Sequence, residues 1–95
     1  MTTEFLIDGM LSGTGLRDAV HGGYLRPQNI GLSESLAQSI SEWHQRYEQA
    51  HFDGFPEDIV AELDVEGMAL ALDVERELSG RTVGYFSNGR MKRLS

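Results

Sequence analysis

The chain contains no cysteine, only two prolines and a single tryptophan among its 95 residues. Without cysteine there is no disulfide framework, no thiolate zinc site and no cysteine nucleophile, and a reducing compartment is compatible with this composition. The first residues, MTTEFLIDG, contain no basic segment and no apolar run long enough for a signal peptide or a membrane span. We therefore expect a cytoplasmic protein without membrane association.

Basic residues are also scarce, and the charge is unevenly distributed along the chain. The net charge is −7. Residues 53–80 contain nine acids against Arg76 as the one base, whereas residues 81–95 carry four basic residues and no acid. Nucleic-acid binding by the whole domain is not expected, because phosphate contacts require a broad basic face. A basic protein partner fits this distribution better.

The length of the chain predicts one domain, residues 1–95, because chains of about 100 residues rarely divide. An apolar content of 40% is sufficient for a small core. Such a domain has little room for a deep active-site cleft. This size favours a non-enzymatic module that works through its surface.

The strongest structural signal is a helix over residues 32–51. Its apolar side chains recur at spacings of 4, 3, 4 and 3, at Leu36, Ile40, Trp43, Tyr47 and Ala50. This repeat is typical of one helix face packed on a core. Ser33 can cap the first turn, with Ser35 and Gln38 as an alternative capping box, and Asp53-Gly54 mark the end.

Residues 57–78 predict further helix, in one piece or two. Pro56 followed by two acids is typical of a helix start. Asp64 is a suitable N-cap, flanked by Leu63 and Met68 as a hydrophobic staple, which favours a short helix over 57–62 and a longer one over 65–78 ended by Gly80. In the alternative, one continuous helix, Gly67 marks a close contact.

The two ends of the chain predict strands. Residues 4–8 form a short apolar run, and Asn88-Gly89 between two extended runs predicts a β-hairpin. The expected register pairs Ser87 with Arg90, Phe86 with Met91 and Val83 with Leu94; the alternative is a frayed basic tail over 90–95.

The segment between the first strand and the main helix is rich in glycine, which argues against long regular structure. We expect only a short helix over residues 16–21, with Thr14 as its cap. Together, these predicted elements indicate an α+β domain. Two or three helices pack on one face of a two- or three-stranded sheet that includes the C-terminal hairpin.

Two patterns in the sequence suggest ligand chemistry, and both have a structural explanation that we favour. Gly13-Thr14-Gly15 follows a strand, but it lacks the Gly-Lys-Ser/Thr ending and the third glycine of nucleotide-binding loops. His44, Glu48 and His51 share one flank of the main helix, where a zinc site is sterically conceivable. A di-iron site needs a second copy of Glu-x-x-His. We expect these three residues to cover the edge of the core, and we predict no metal, no cofactor and no catalytic residue.

The acidic stretch supplies the candidate partner-binding residues. This stretch has almost no basic residues, so its acids cannot form ion pairs with lysines at i,i+4 along the same helix. The unpaired acids favour a role in attracting and binding a basic partner. A solvated face that keeps the protein soluble is the alternative. The candidates are Asp53, Glu57, Asp58, Glu62, Asp73, Glu75 and Glu77.

Scattered segments along nearly the whole chain resemble small bacterial immunity proteins of polymorphic and contact-dependent toxin systems. The segments are IDGMLSGTG at 7–15 with Arg17-Asp18, Trp43 with Tyr47-Glu48, Leu63-Asp64 with Glu66-Gly67, Glu77-Leu78, and Tyr85-Phe86-Ser87. The resemblance implies a cytosolic, non-enzymatic protein that binds one cognate toxin domain, frequently a basic nuclease, and blocks its active site. The contact residues are not implied, because such proteins vary most at their binding surfaces.

The second hypothesis is a homo-oligomeric or adaptor domain whose exposed hairpin edge pairs with another chain. A small metal-binding protein or an enzyme that uses His44 and Glu48 is the third. The oligomeric state is left open by the sequence.

Overall fold

The computed structural model describes residues 4–79 and 81–95. The elements are β1 (Glu4–Asp8), β2 (Leu16–Asp18), a 3-10 helix (Pro27–Ile30), α1 (Glu34–Phe52), α2 (Glu57–Glu77), β3 (Thr82–Ser87) and β4 (Lys92–Arg93). The strands form one mixed sheet in the order β2-β1-β3-β4, with β1 and β3 parallel at its centre. The α+β prediction is confirmed, although the sheet has four strands rather than two or three.

Helix α1 has the buried face that its sequence predicts, and it begins two residues later and ends one residue later than the predicted range of 32–51. The hydroxyl of Ser33 accepts a hydrogen bond from the backbone N–H of Leu36 (3.3 Å), so Ser33 is the N-cap. All five residues of the predicted stripe are buried. Trp43 is fully buried, and its indole N–H donates to the Leu63 carbonyl of α2 (2.8 Å). The stripe is therefore the centre of the core.

The helix that follows is continuous from Glu57 to Glu77, so the prediction of two helices separated at Asp64 is wrong. The alternative is correct, because Gly67 lies against the ring of Tyr85: a β-carbon there would be 2.1 Å from the Tyr85 Cε1 atom. The missing side chain lets α2 lie directly on β3. Asp64 is buried within the helix and caps nothing. Gly80, the predicted helix end, lies outside the described residues.

The short helix predicted over residues 16–21 is also wrong. Leu16–Asp18 forms β2, antiparallel to β1, with Leu16 fully buried in the core. A carboxylate oxygen of Asp18 accepts hydrogen bonds from the backbone N–H groups of Val20 and His21 (both 2.9 Å), which closes a turn directly after the strand. This local capping of a turn competes with the helix that the glycine spacing indicated. The hydroxyl of Thr14 donates to the Leu25 carbonyl instead of capping a helix.

The C-terminal strand pair is present, but its predicted register is wrong. Ser87 pairs with Lys92 and Phe86 with Arg93, so the connection is four residues, Asn88 to Met91, rather than two. The Asn88 side chain is buried and donates to the Asp8 carboxylate (2.6 Å), which holds the start of the turn in the protein interior. Leu94 lies beside Tyr85 rather than Val83, because its N–H donates to the Tyr85 carbonyl (2.9 Å).

Candidate functional site

All seven candidate acidic residues are exposed. Asp53 follows α1, and the other six lie on α2. Successive residues of an α-helix are rotated by about 100° about its axis, and at this rotation the acids of α2 separate into two rows along the helix. The row toward α1 comprises Glu62, Glu66, Asp73 and Glu77, and the row toward the sheet edge comprises Glu57 and Glu75. Asp58 lies between the rows, near the helix start.

Contacts to neighbouring elements confirm the direction of each row. Glu66 forms an ion pair with Arg46 of α1 at 2.5 Å. On the opposite side, Glu57 forms an ion pair with Arg90, in the turn between β3 and β4, at 2.8 Å. The two rows therefore border the outward face of α2, one beside α1 and the other beside the strand pair.

Between the rows, the outward face of α2 carries an apolar stripe, with the exposed Asp58 before it and the exposed Arg76 after it. Ala61, Val65, Met68 and Leu72 follow one another at spacings of 4, 3 and 4, and we name them the outer stripe. Val65 is 65% exposed and Leu72 is 54% exposed. The sequence predicts a wide apolar face on α2, in which Val65, Met68 and Leu72 widen a stripe of Leu70, Val74 and Leu78 and make contacts on a second side. In the structure Leu70 and Val74 are buried, whereas Val65 and Leu72 are exposed, so the described residues do not cover this second side. Met68, at the border, is half-buried against the core.

The candidate acids differ in how far the fold itself engages them. Asp53 accepts a hydrogen bond from Gln49, and Asp73 pairs with Arg76 at 3.3 Å. Within residues 4–79 and 81–95, no ion pair involves Asp58, Glu62 or Glu75. These three carboxylates are the members of the predicted set that form neither an ion pair nor a side-chain hydrogen bond within the described residues.

Glu77 has a structural task that the sequence did not reveal. Its two carboxylate oxygens accept hydrogen bonds from the backbone N–H of Ser33 (2.8 Å) and from the Ser33 hydroxyl (2.7 Å). The backbone N–H of Ser33 is the largest cause that holds the pKa of Glu77 below its usual range, followed by the hydroxyl. Glu77 thus ties the end of α2 to the start of α1.

His44, Glu48 and His51 hold a loop. The Nε2 atoms of His44 and His51 donate to the backbone carbonyls of Met10 (2.8 Å) and Gly9 (3.0 Å). A carboxylate oxygen of Glu48 accepts from the backbone N–H of Ser12 (3.2 Å). In the part of the chain that the structure describes, no three His, Asp or Glu side chains converge as metal ligands do. The three residues cover the edge of the core and fasten the loop after β1 to α1.

A buried polar cluster around Asp64 was missed by sequence reasoning. The hydroxyls of Tyr47 (2.9 Å) and Tyr85 (2.5 Å) donate to Oδ1 of Asp64, and the hydroxyl of Ser87 (2.8 Å) donates to Oδ2. The guanidinium of Arg90 approaches Oδ2 at 3.3 Å. This cluster joins α1, α2 and β3 from the inside, beneath the sheet-side acid row.

Three arginines near the end of the chain are also engaged within the fold. Arg90 bridges Asp64 and Glu57, and Arg93 pairs with Glu4 at 2.6 Å. The guanidinium of Arg81 lies 5.7 Å from the ring centre of Phe5. The three arginines of this segment are thus engaged by acids and an aromatic ring, whereas Lys92 is exposed and forms no ion pair among residues 4–79 and 81–95.

Comparison of the chain with protein-family models, curated proteins and solved structures gives no significant match. The site is therefore defined by its own geometry: an exposed apolar stripe between two rows of carboxylates. Chemically, this face can bury apolar side chains of a partner and pair with cations on both sides of them.

The hypothesis of a homo-oligomeric or adaptor domain depends on the exposed edge of the C-terminal strand pair, and this edge is short and charged. Strand β4 has two residues, Lys92 and Arg93, and both are exposed. Short edge strands and edge lysines are features by which proteins prevent pairing with another chain. Among residues 4–79 and 81–95, no helix has the length and apolar character needed to cross a lipid bilayer.

Proposed function

We propose that this chain is a non-enzymatic binding protein whose partner is a basic protein domain, held on the outward face of α2. The observation that carries the proposal is the group of exposed carboxylates at Asp58, Glu62 and Glu75, which form no ion pair within the described residues. A field of one sign attracts an oppositely charged partner over about a Debye length and raises the association rate.

The resemblance to immunity proteins supports a more specific form of this proposal. In that form, the partner is a toxin domain of nuclease type, and binding occludes its active site in the cytoplasm. A basic nuclease surface is complementary to the acidic rows, because it is shaped to bind phosphates. The chain then acts as a stoichiometric inhibitor.

The test begins with the gene next to the one that encodes this chain. We expect it to encode a protein that ends in a basic toxic domain, and we expect the purified chain to abolish the activity of that domain at equimolar ratio. The association rate should fall as salt concentration rises. Full toxin activity in the presence of an equimolar amount of the chain contradicts the immunity form of the proposal.

A triple variant tests whether the surface charge of α2 contributes to binding without a change in the fold. Asp58→Asn, Glu62→Gln and Glu75→Gln together remove three negative charges from positions without an internal ion pair, so the folded structure should be retained. We expect slower association and a weaker salt dependence. The matched control is Glu34→Gln, which removes an exposed acid from α1; association unchanged in the triple variant would contradict a role for the acidic face.

A further inference from the structure

We propose that the partner contacts the outer stripe with a basic amphipathic α-helix, which lies along α2. This inference rests on the proposed function and adds the form of the partner segment. Val65 and Leu72 are more than half exposed, although both belong to a regular apolar repeat. Single exposed apolar residues are ordinary, but a repeat at 4, 3 and 4 is the pattern by which one helix packs on another.

The dimensions of the stripe suit a helix of a few turns. From Ala61 to Leu72 the stripe covers about 16 Å of α2, at a rise of about 1.5 Å per residue. Its members, with Ala69 beside them, are small or of medium size, which allows two helix axes to approach to about 8–10 Å. A partner helix that presents apolar residues at i, i+3, i+4 and i+7 would fill this face.

The charges on both sides of the stripe decide which helix fits. A helix packed on the stripe places its flanking residues over Glu62 on one side and over Glu75 on the other, and neither acid forms an ion pair within the described residues. Lysine or arginine at these flanks would be attracted by both rows. A second copy of this chain would bring acids against acids, since Arg76 is the only base along α2, and such like-charge contact opposes association. The occupant is therefore a basic amphipathic helix of another protein.

Two synthetic peptides test the inference. The first is an 18-residue peptide of leucine and lysine patterned as an amphipathic helix; the second has the same composition, with the leucines distributed around the helix. We expect the chain to bind the first peptide about tenfold more tightly than the second, because only the first can bury an apolar face on the stripe. Amide shift changes in NMR spectra should concentrate on residues 58–76.

Variants of the chain test whether the outer stripe is the surface that binds the peptide. Val65→Gln with Leu72→Gln replaces two exposed apolar side chains by a good helix former, so α2 should persist. We expect this variant to bind both peptides equally, with the affinity for the amphipathic one reduced about tenfold. The matched control is Val20→Gln with Phe52→Gln, which removes two exposed apolar side chains elsewhere and should bind as the unmodified chain does.

Each contrary outcome has a distinct meaning. The helix inference is overturned if the unmodified chain binds the two peptides equally and the stripe variant has no effect. The proposed function still stands in that case if the Glu62→Gln, Glu75→Gln variant loses affinity for the peptides. Failure of both peptides to bind overturns both. A mass of two copies in light scattering that returns to one copy in the stripe variant would show that a second copy covers the stripe, which also overturns the inference.

Discussion

Asp64 accepts hydrogen bonds from Tyr47, Tyr85 and Ser87 and faces the guanidinium of Arg90, while it is only 3% exposed. A carboxylate buried in this way is tolerated because each oxygen receives donors and a positive charge lies close by. The donors come from α1, from β3 and from the turn that follows β3. Asp64 therefore fixes the position of α2 relative to both neighbours, which also positions the outer stripe.

We expect Asp64→Asn to destabilise the protein by about 2–4 kcal/mol, because the amide nitrogen cannot accept the hydrogen bonds that the buried hydroxyls donate. Urea unfolding followed by Trp43 fluorescence measures the effect. The control is Asp73→Asn, an exposed aspartate of the same helix with a surface ion pair, which should cost at most about 1 kcal/mol. Equal effects of the two substitutions would contradict the role assigned to the buried cluster.

Gly67 gives a second prediction at this scale. An alanine at this position would gain about 1 kcal/mol in helix propensity. Its β-carbon would, however, lie 2.1 Å from the buried ring of Tyr85, so the ring or the helix must move. We expect Gly67→Ala to destabilise the fold by about 1–3 kcal/mol net. Glu75→Ala, at an exposed position of the same helix, should change stability by about 0.5 kcal/mol or less; a stabilised Gly67→Ala protein would show that the contact is loose.

At the scale of elements, α1 and α2 are joined at several points. Arg46 and Glu66 pair across the middle of the two helices, and Glu77 binds the N-terminus of α1 through Ser33. The Glu66 hydrogen bond is the largest cause that raises the pKa of Arg46. The positive end of the α1 dipole adds to the preference for a charged Glu77 at this place. The acid row toward α1 thus combines Glu62, which forms no ion pair within the described residues, with carboxylates that hold the helix pair together.

The lowered pKa of Glu77 predicts acid sensitivity of this connection. A group with a lowered folded-state pKa stabilises the fold above its unfolded pKa, and this contribution is lost as pH falls through the folded value. We expect the free energy of unfolding to decrease as pH falls below about 4.5, and Glu77→Gln to make this dependence shallower. Denaturant unfolding at a series of pH values measures it. Glu75→Gln, two residues earlier and without an ion pair in the described chain, should leave the slope unchanged.

At the scale of the whole molecule, the fold joins its ends. Strand β1 pairs in parallel with β3, from Glu4 with Thr82 to Asp8 with Phe86, and both helices lie in the connection between them. Tyr47 and Tyr85 meet at Asp64 beneath this sheet, and burial is the largest cause that raises the pKa of each hydroxyl. The core is therefore built around tyrosines that remain protonated.

This arrangement predicts loss of stability in alkali. The unfolded chain releases tyrosine protons near pH 10, whereas the folded chain retains those of Tyr47 and Tyr85, so stability is complete below that pH and declines as pH rises above it. We expect the free energy of unfolding to fall above about pH 10, measured by denaturant unfolding. Tyr85→Phe removes one of the protons and should reduce the slope; a slope identical to that of the unmodified chain would show that Tyr85 titrates normally in the folded state.

The sequence alone determines the features whose causes are local. Helix α1 follows from a cap at Ser33 and one apolar stripe, since both signals lie within the helix that they specify. The acidic character of α2 and the exposure of Asp53 and of the six candidate residues on α2 follow likewise, because charged side chains are rarely buried without a partner.

The tertiary structure decided the features that depend on distant residues. Leu16–Asp18 is a strand because β1 offers it a partner, and α2 continues through Asp64 because donors 17 to 26 residues away satisfy the carboxylate. The outer stripe is exposed because the sheet and α1 together cover only one side of α2. A periodic pattern identifies an apolar face, but only packing determines whether the protein itself covers that face or leaves it for a partner.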